Sequence, residues 1–150
     1  MSELIDRQLE NHSYSRVEKD SYKASSSDVL VADSLGTCIA IGVYDGRTEK
    51  SYLLHTRTLE NETVDEEVEN FVNQIKEDLT PPYEVLAGGT IDSCYNPLTE
   101  EREVEKAREA AEEALNRLET SVCAAWNRKP VFNRITVSPE RGILYDRVDD

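Results

Sequence analysis

From Asp28 onward the chain alternates short β-rich runs with longer stretches of helical periodicity. Val29-Leu30-Val31 is a compact apolar run, and Ile39 to Tyr44 and Ser51 to His55 flank Asp45-Gly46-Arg47-Thr48, which together predict a hairpin. Between Val64 and Leu79 the apolar positions are 64, 68, 71, 72, 75 and 79, the spacing of one helix face. Thr63 stands where an N-cap is needed, with Glu66 three residues on, and Pro81-Pro82 stops the helix. "YEVLAGG" then predicts a strand entering a glycine turn. "NPLTEEREVEKAREAAEEALNRLETSVCAAW" predicts one long helix with an inner face of Val104, Ala107, Ala111, Leu115, Leu118 and Val122. "PVFNRITVSPERGILYDR" predicts two strands joined by a turn at Ser138-Pro139-Glu140-Arg141-Gly142.

Residues 1–27 are polar with scattered apolar positions (Leu4, Ile5, Tyr14, Val17, Tyr22), which predicts a partly ordered arm or a short edge element. The remainder, 28–150, is long enough for one hydrophobic core. The order strand, hairpin, helix, strand, helix, hairpin implies an α+β fold: a mixed, mostly antiparallel β-sheet core with two main helices packed against it.

Charge narrows the partners. With 31 acidic against 17 basic residues and a formal charge of −14, the surface repels phosphate backbones and anionic lipid, so neither nucleic acid nor membrane is expected as a partner. The acid is spread along the chain and arginine outnumbers lysine, a composition that suits a high-salt, halophilic cytoplasm. There is no run of about 18 apolar residues, and "MSELIDRQLENHSYS" lacks the basic and apolar regions of a signal peptide, so a cytoplasmic protein is expected. The three cysteines, Cys38, Cys94 and Cys123, have no metal-ligand spacing and form no disulfide framework, so free thiols and no metal site are expected.

The hairpin gives two of these residues a chemical meaning. If Gly46-Arg47 is a two-residue loop, paired residues have numbers that sum to 93, and Cys38 stands opposite His55. With Asp45-Gly46 as the loop the sum is 91 and the two become diagonal, still on one face. A thiol beside an imidazole can form a thiolate–imidazolium pair, giving a nucleophile and an acid/base for acyl transfer at an amide. Ser34, Gly36 and Thr37 would let the backbone approach a substrate and aim N–H groups at an oxyanion. Free cysteine is also among the most buried residue types, so spacing alone favours a structural role.

The motif as a whole, "SLGTCIAIGVYD" with a histidine 17 positions after the cysteine and a later strand ending in "LAGGT", resembles the CheD family of chemoreceptor glutamine deamidases. It is also similar to the eukaryotic N-terminal asparagine amidohydrolases, on Asp33, Thr37 and the terminal "VFNRITVSPERGILYD". The resemblance covers roughly Val29 to Thr90. It implies a CheD-like α/β sandwich, Cys38 as nucleophile, His55 as acid/base, and Gly88 and Gly89 as a close-approach turn lining the site. CheD proteins carry a threonine six positions before the cysteine to orient the histidine, where this chain has Ala32. The orienting group is then expected among Asp33, Ser34, Thr37 or Thr90, or is missing. Glycines expected near the CheD C-terminus are missing too, which detaches the chemotaxis substrate from the chemistry.

The resulting expectation is a cysteine-dependent amidohydrolase (protein deamidase) acting on glutamine or asparagine carboxamides of a protein or peptide substrate, with no cofactor. The alternative is a catalytically weak, CheD-like binding or regulatory module in signalling. A third is redox sensing by Cys38 with Cys94. Cys123 and Trp126 are expected to pack on or at the end of the long helix, His12 to be solvated, Asp45 and Asp92 to serve turns, and Thr99 to cap the helix after Asn96-Pro97. The sequence carries no signal for an oligomeric state.

Overall fold

A computed structural model describes residues 14–35, 38–57, 64–79, 83–89, 101–118, 122–126, 133–139 and 141–147. Chain order in these residues is β1 (Tyr14–Arg16), β2 (Ser21–Ser25), β3 (Val29–Leu35), β4 (Ile39–Asp45), β5 (Lys50–Thr56), α1 (Val64–Ile75), β6 (Glu84–Gly89), α2 (Glu101–Leu115), β7 (Val122–Trp126), β8 (Asn133–Ser138) and β9 (Gly142–Arg147). The strands form two sheets, one ordered β1-β3-β8-β9 and the other β2-β5-β4-β6-β7. Only β1 with β3 and β6 with β7 run parallel, so the α+β architecture with a mostly antiparallel core is as the sequence predicts.

The five-stranded sheet is the middle layer, and strand alternation explains why. Ile39, Ile41 and Val43 on one face of β4 pack with Val68, Phe71, Val72 and Ile75 of α1 and with Ala111, Ala114 and Leu115 of α2. Cys38 and Ala40 point the other way, into a cluster with Leu30, Ala32, Leu53, Ile135 and Val137 between the two sheets. A twelve-residue helix is marginal alone, so α1 holds its shape by burying the stripe that the sequence predicts. Asp65, Glu66 and Glu67 in its first turn complement the helix dipole. The sheets approach closely at Gly42, where a Cβ would come within 2.9 Å of a Val137 methyl.

Four expectations change. The β4–β5 loop has four residues rather than two: the ladder runs from Ile39↔Thr56 to Asp45↔Lys50, so paired numbers sum to 95. Buried Asp45 ends the ladder early, its Oδ1 accepting the Arg47 N–H at 3.0 Å, and Glu49 takes the positive φ of 53° that closes the turn. Second, the long helix ends at Leu115, and Val122–Trp126 is a strand parallel to β6, with Cys123 beside Leu86 and Trp126 beside Gly89. Third, Gly88 and Gly89 are strand residues, paired with Ala40 and Ile39, and not a turn. Fourth, α1 ends at Ile75, short of the Leu79 to which its apolar spacing runs, whereas β1 and β2 are the edge strands of the two sheets, the short edge elements expected of the arm, with Val17 only 1% exposed. Thr63, Pro81-Pro82, His12, Asp92, Cys94, Asn96-Pro97 and Thr99 lie outside the described residues. No helix among the described residues is long and apolar enough to cross a membrane.

Candidate active site

Cys38 immediately precedes β4 and shares the inter-sheet face with Ala40, whose cross-strand partner is His55. The two candidate side chains therefore sit on one face, as the parity of the hairpin predicts, but in diagonal rather than direct opposition. Diagonal neighbours are about 7–8 Å apart or somewhat less at Cβ, against about 4.5–5.5 Å for direct partners, still within reach of a long imidazole. His55 is flanked on its rung by Ser21 of β2 and Ala40 of β4, and the next strand contributes Gly88. These small neighbours leave the imidazole as the bulky group of the row.

The orientation of His55 comes from the main chain. Its Nδ1 lies 2.9 Å from the Val17 carbonyl oxygen, and since a carbonyl only accepts, Nδ1 carries the proton. In the neutral ring, Nε2 then holds the lone pair, the tautomer a general base requires. Val17 is itself fixed, its N–H donating to the Val31 carbonyl of β3 at 2.8 Å. A single peptide segment thus links the four-stranded sheet to the histidine of the five-stranded one. Ala32 is fully buried in the cluster that also holds Cys38 and brings no hydroxyl to it.

Three charged groups act on the Cys38 sulfur. Burial raises the Cys38 thiol above its usual range, opposed by Lys19 and Arg57 and reinforced by Asp20. Burial thus works against the thiolate at Cys38, and Lys19 and Arg57 work for it. Cys38 is 6% exposed and His55 5%, but the groups acting on the sulfur, Lys19, Asp20 and Arg57, are solvent-facing. The pair stands where the apolar interlayer meets a charged rim. Asp20, at a positive φ of 61°, accepts the Arg57 backbone N–H at 3.0 Å on Oδ1 and the Arg57 Nε–H at 2.6 Å on Oδ2. Burial would raise its carboxyl, but these hydrogen bonds and the guanidinium hold it below the usual carboxylate range.

Of the supporting residues expected from sequence, Asp33 and Ser34 lie on β3 where its register with β8 shifts between Ala32 and Leu35. Gly88 and Gly89 lie on β6, and Gly36, Thr37 and Thr90 fall outside the described residues. Val17, Asp20 and Arg57 are the additions. Val17 reads in the sequence only as an isolated apolar residue in a polar segment, and a carbonyl has no residue-type signal at all. Among the described residues no group of three or more His, Cys, Asp or Glu is placed to hold a metal ion.

No family model matches the chain, and no curated protein matches it. A crystal structure of the hypothetical protein YfiH from Bacillus licheniformis aligns with a TM-score of 0.49 and 13% identity over 69% of this chain and 49% of that one. The chain thus spans about half the length of that protein.

Proposed function

We propose that the protein is a cysteine-dependent amidohydrolase of the CheD-like kind, converting a glutamine or asparagine carboxamide on a protein or peptide to the carboxylate. The observation that carries this reading is the Nδ1–H bond of His55 to the Val17 carbonyl, which leaves Nε2 as the base on the face that Cys38 shares. His55 Nε2 takes the thiol proton as the sulfur attacks the carboxamide carbon, so deprotonation accompanies attack rather than preceding it. The tetrahedral intermediate expels ammonia with the proton returned by His55, leaving a thioester. A water deprotonated by the same nitrogen attacks that thioester, and the released sulfur regains its proton as the carboxylate leaves. Incubation with N-acetylated peptides carrying one glutamine or one asparagine should release ammonia from the native protein and at least about 100-fold less from Cys38→Ala. Equal release from both would sink the mechanism.

Two observations favour a second reading, a binding or regulatory module: burial holds the Cys38 thiol up, and Ala32 brings no hydroxyl to the cluster around it. That reading predicts no amide hydrolysis by the native protein and unchanged partner binding by Cys38→Ala.

A further inference from the structure

The crossing from β1 to β2, residues Val17 to Asp20, passes over His55 and supplies its hydrogen-bond partner. Its upstream end is pinned to the four-stranded sheet by Val17 N–H on the Val31 carbonyl. Ser21 Oγ donates to the Glu18 carbonyl at 2.6 Å, a bond within the crossing and its exit. The ladder that joins this segment to the histidine's own strand ends at the rung Ser21↔His55, and a terminal rung frays. Asp20 extends the fastening past that rung. It turns the chain at φ 61° and binds the backbone and side chain of Arg57, two residues beyond His55. The Thr56 hydroxyl stands 3.4 Å from Oδ1 on the intervening residue.

We propose that Asp20 is a positioning residue for His55: by clamping the crossing to Arg57 it holds the Val17 carbonyl against Nδ1 and so fixes the imidazole tautomer. The role deepens the amidohydrolase reading and rests on it for its catalytic meaning, but the tautomer is measurable without any substrate. Asp20 does not touch the reacting atoms; it acts through Val17 and His55. Its carboxylate also faces Cys38 electrostatically, together with Lys19 and Arg57, so removing it changes the field at the sulfur as well.

Two variants separate the side chain from the backbone. Asp20→Gly accepts the positive φ without penalty but removes both carboxylate oxygens. Asp20→Asn tolerates the same backbone and keeps an acceptor for the Arg57 N–H. Nitrogen and proton NMR of the full chain reads the His55 ring directly. In the native protein and Asp20→Asn one Nδ1–H tautomer with a slowly exchanging proton is expected. Asp20→Gly should give a mixture of tautomers and lose that proton to rapid exchange. With the same glutamine and asparagine peptides, kcat should fall by about 10- to 100-fold in Asp20→Gly with KM little changed, and recover in Asp20→Asn. If Asp20→Gly keeps the native tautomer and its protected proton, the positioning role is overturned, whatever the native protein hydrolyses. If the tautomer is lost in Asp20→Gly while the native protein releases no ammonia, the positioning role stands and the amidohydrolase reading falls.

Discussion

Gly42→Ala tests whether the close approach of the two sheets is a constraint or an accident. A Cβ there would stand 2.9 Å from Val137 Cγ2, 3.3 Å from Ile135 Cγ2 and 3.5 Å from Ile143 Cγ2. Optimal carbon contacts lie at about 3.5–4.0 Å, so the nearest methyl must retreat by roughly 0.6 Å or more. Val137 is fully buried and β-branched, which leaves it no free rotamer, and Ile135 beside it is equally enclosed. Relief has to come from the sheets moving apart, an overpacking cost of about 1–3 kcal/mol. Replacing a glycine also narrows the unfolded ensemble, which returns about 0.4–1 kcal/mol. The midpoints of the two ranges leave a net loss of about 1.3 kcal/mol, within limits of about 0 to 2.6, or a fall in Tm of about 3–5 °C for a chain of this size. Thermal unfolding followed by circular dichroism measures it. Val137→Ala, destabilising alone, should cost less in the Gly42→Ala background by about 1 kcal/mol, because the obstructing methyl is gone. A Gly42→Ala protein more stable than the native one, or no coupling with Val137→Ala, would refute the overpacking argument.

Two further outcomes follow from the site. Alkylation of Cys38 by iodoacetamide, followed peptide by peptide, should rise with pH through a midpoint above that of a free thiol, and Lys19→Met should push it higher by removing a cation that favours the thiolate. A midpoint below that of a free thiol would contradict the burial argument. Ala32→Thr puts a methyl and a hydroxyl into the fully buried cluster around Cys38, while His55 Nδ1–H already has its acceptor. It should lower stability by about 1–3 kcal/mol without raising ammonia release, and a faster enzyme would show that the hydroxyl is wanted after all.

The face that Cys38 and His55 share is legible in the sequence because strand parity survives any even shift of register. The separation between them is not, because the loop length rests on Asp45 folding back onto the Arg47 N–H, which stops the ladder one rung short of a two-residue loop. The stripe of α1 is legible since Val68, Phe71, Val72 and Ile75 are all buried as spaced, and Leu79, beyond the helix end, is buried too. Val122–Trp126 is not, because Val122 continues the phase of the preceding helix and only pairing with β6 makes the segment extended. The polar composition of residues 14–25 allows an edge element, but which sheets they edge is set by backbone pairing with β3 and β5 and carries no signal in side-chain type.

Because the group that orients His55 is the Val17 carbonyl, it belongs to the polypeptide and not to any side chain. Every amino acid at position 17 would bring it, and substitution there reports on the fit of a buried valine in the core. A mutational scan of this chain would sample the side chains of Cys38 and His55 and miss the carbonyl that orients the imidazole. Only chemistry that edits the backbone itself, such as replacing that peptide oxygen with sulfur, would reach it.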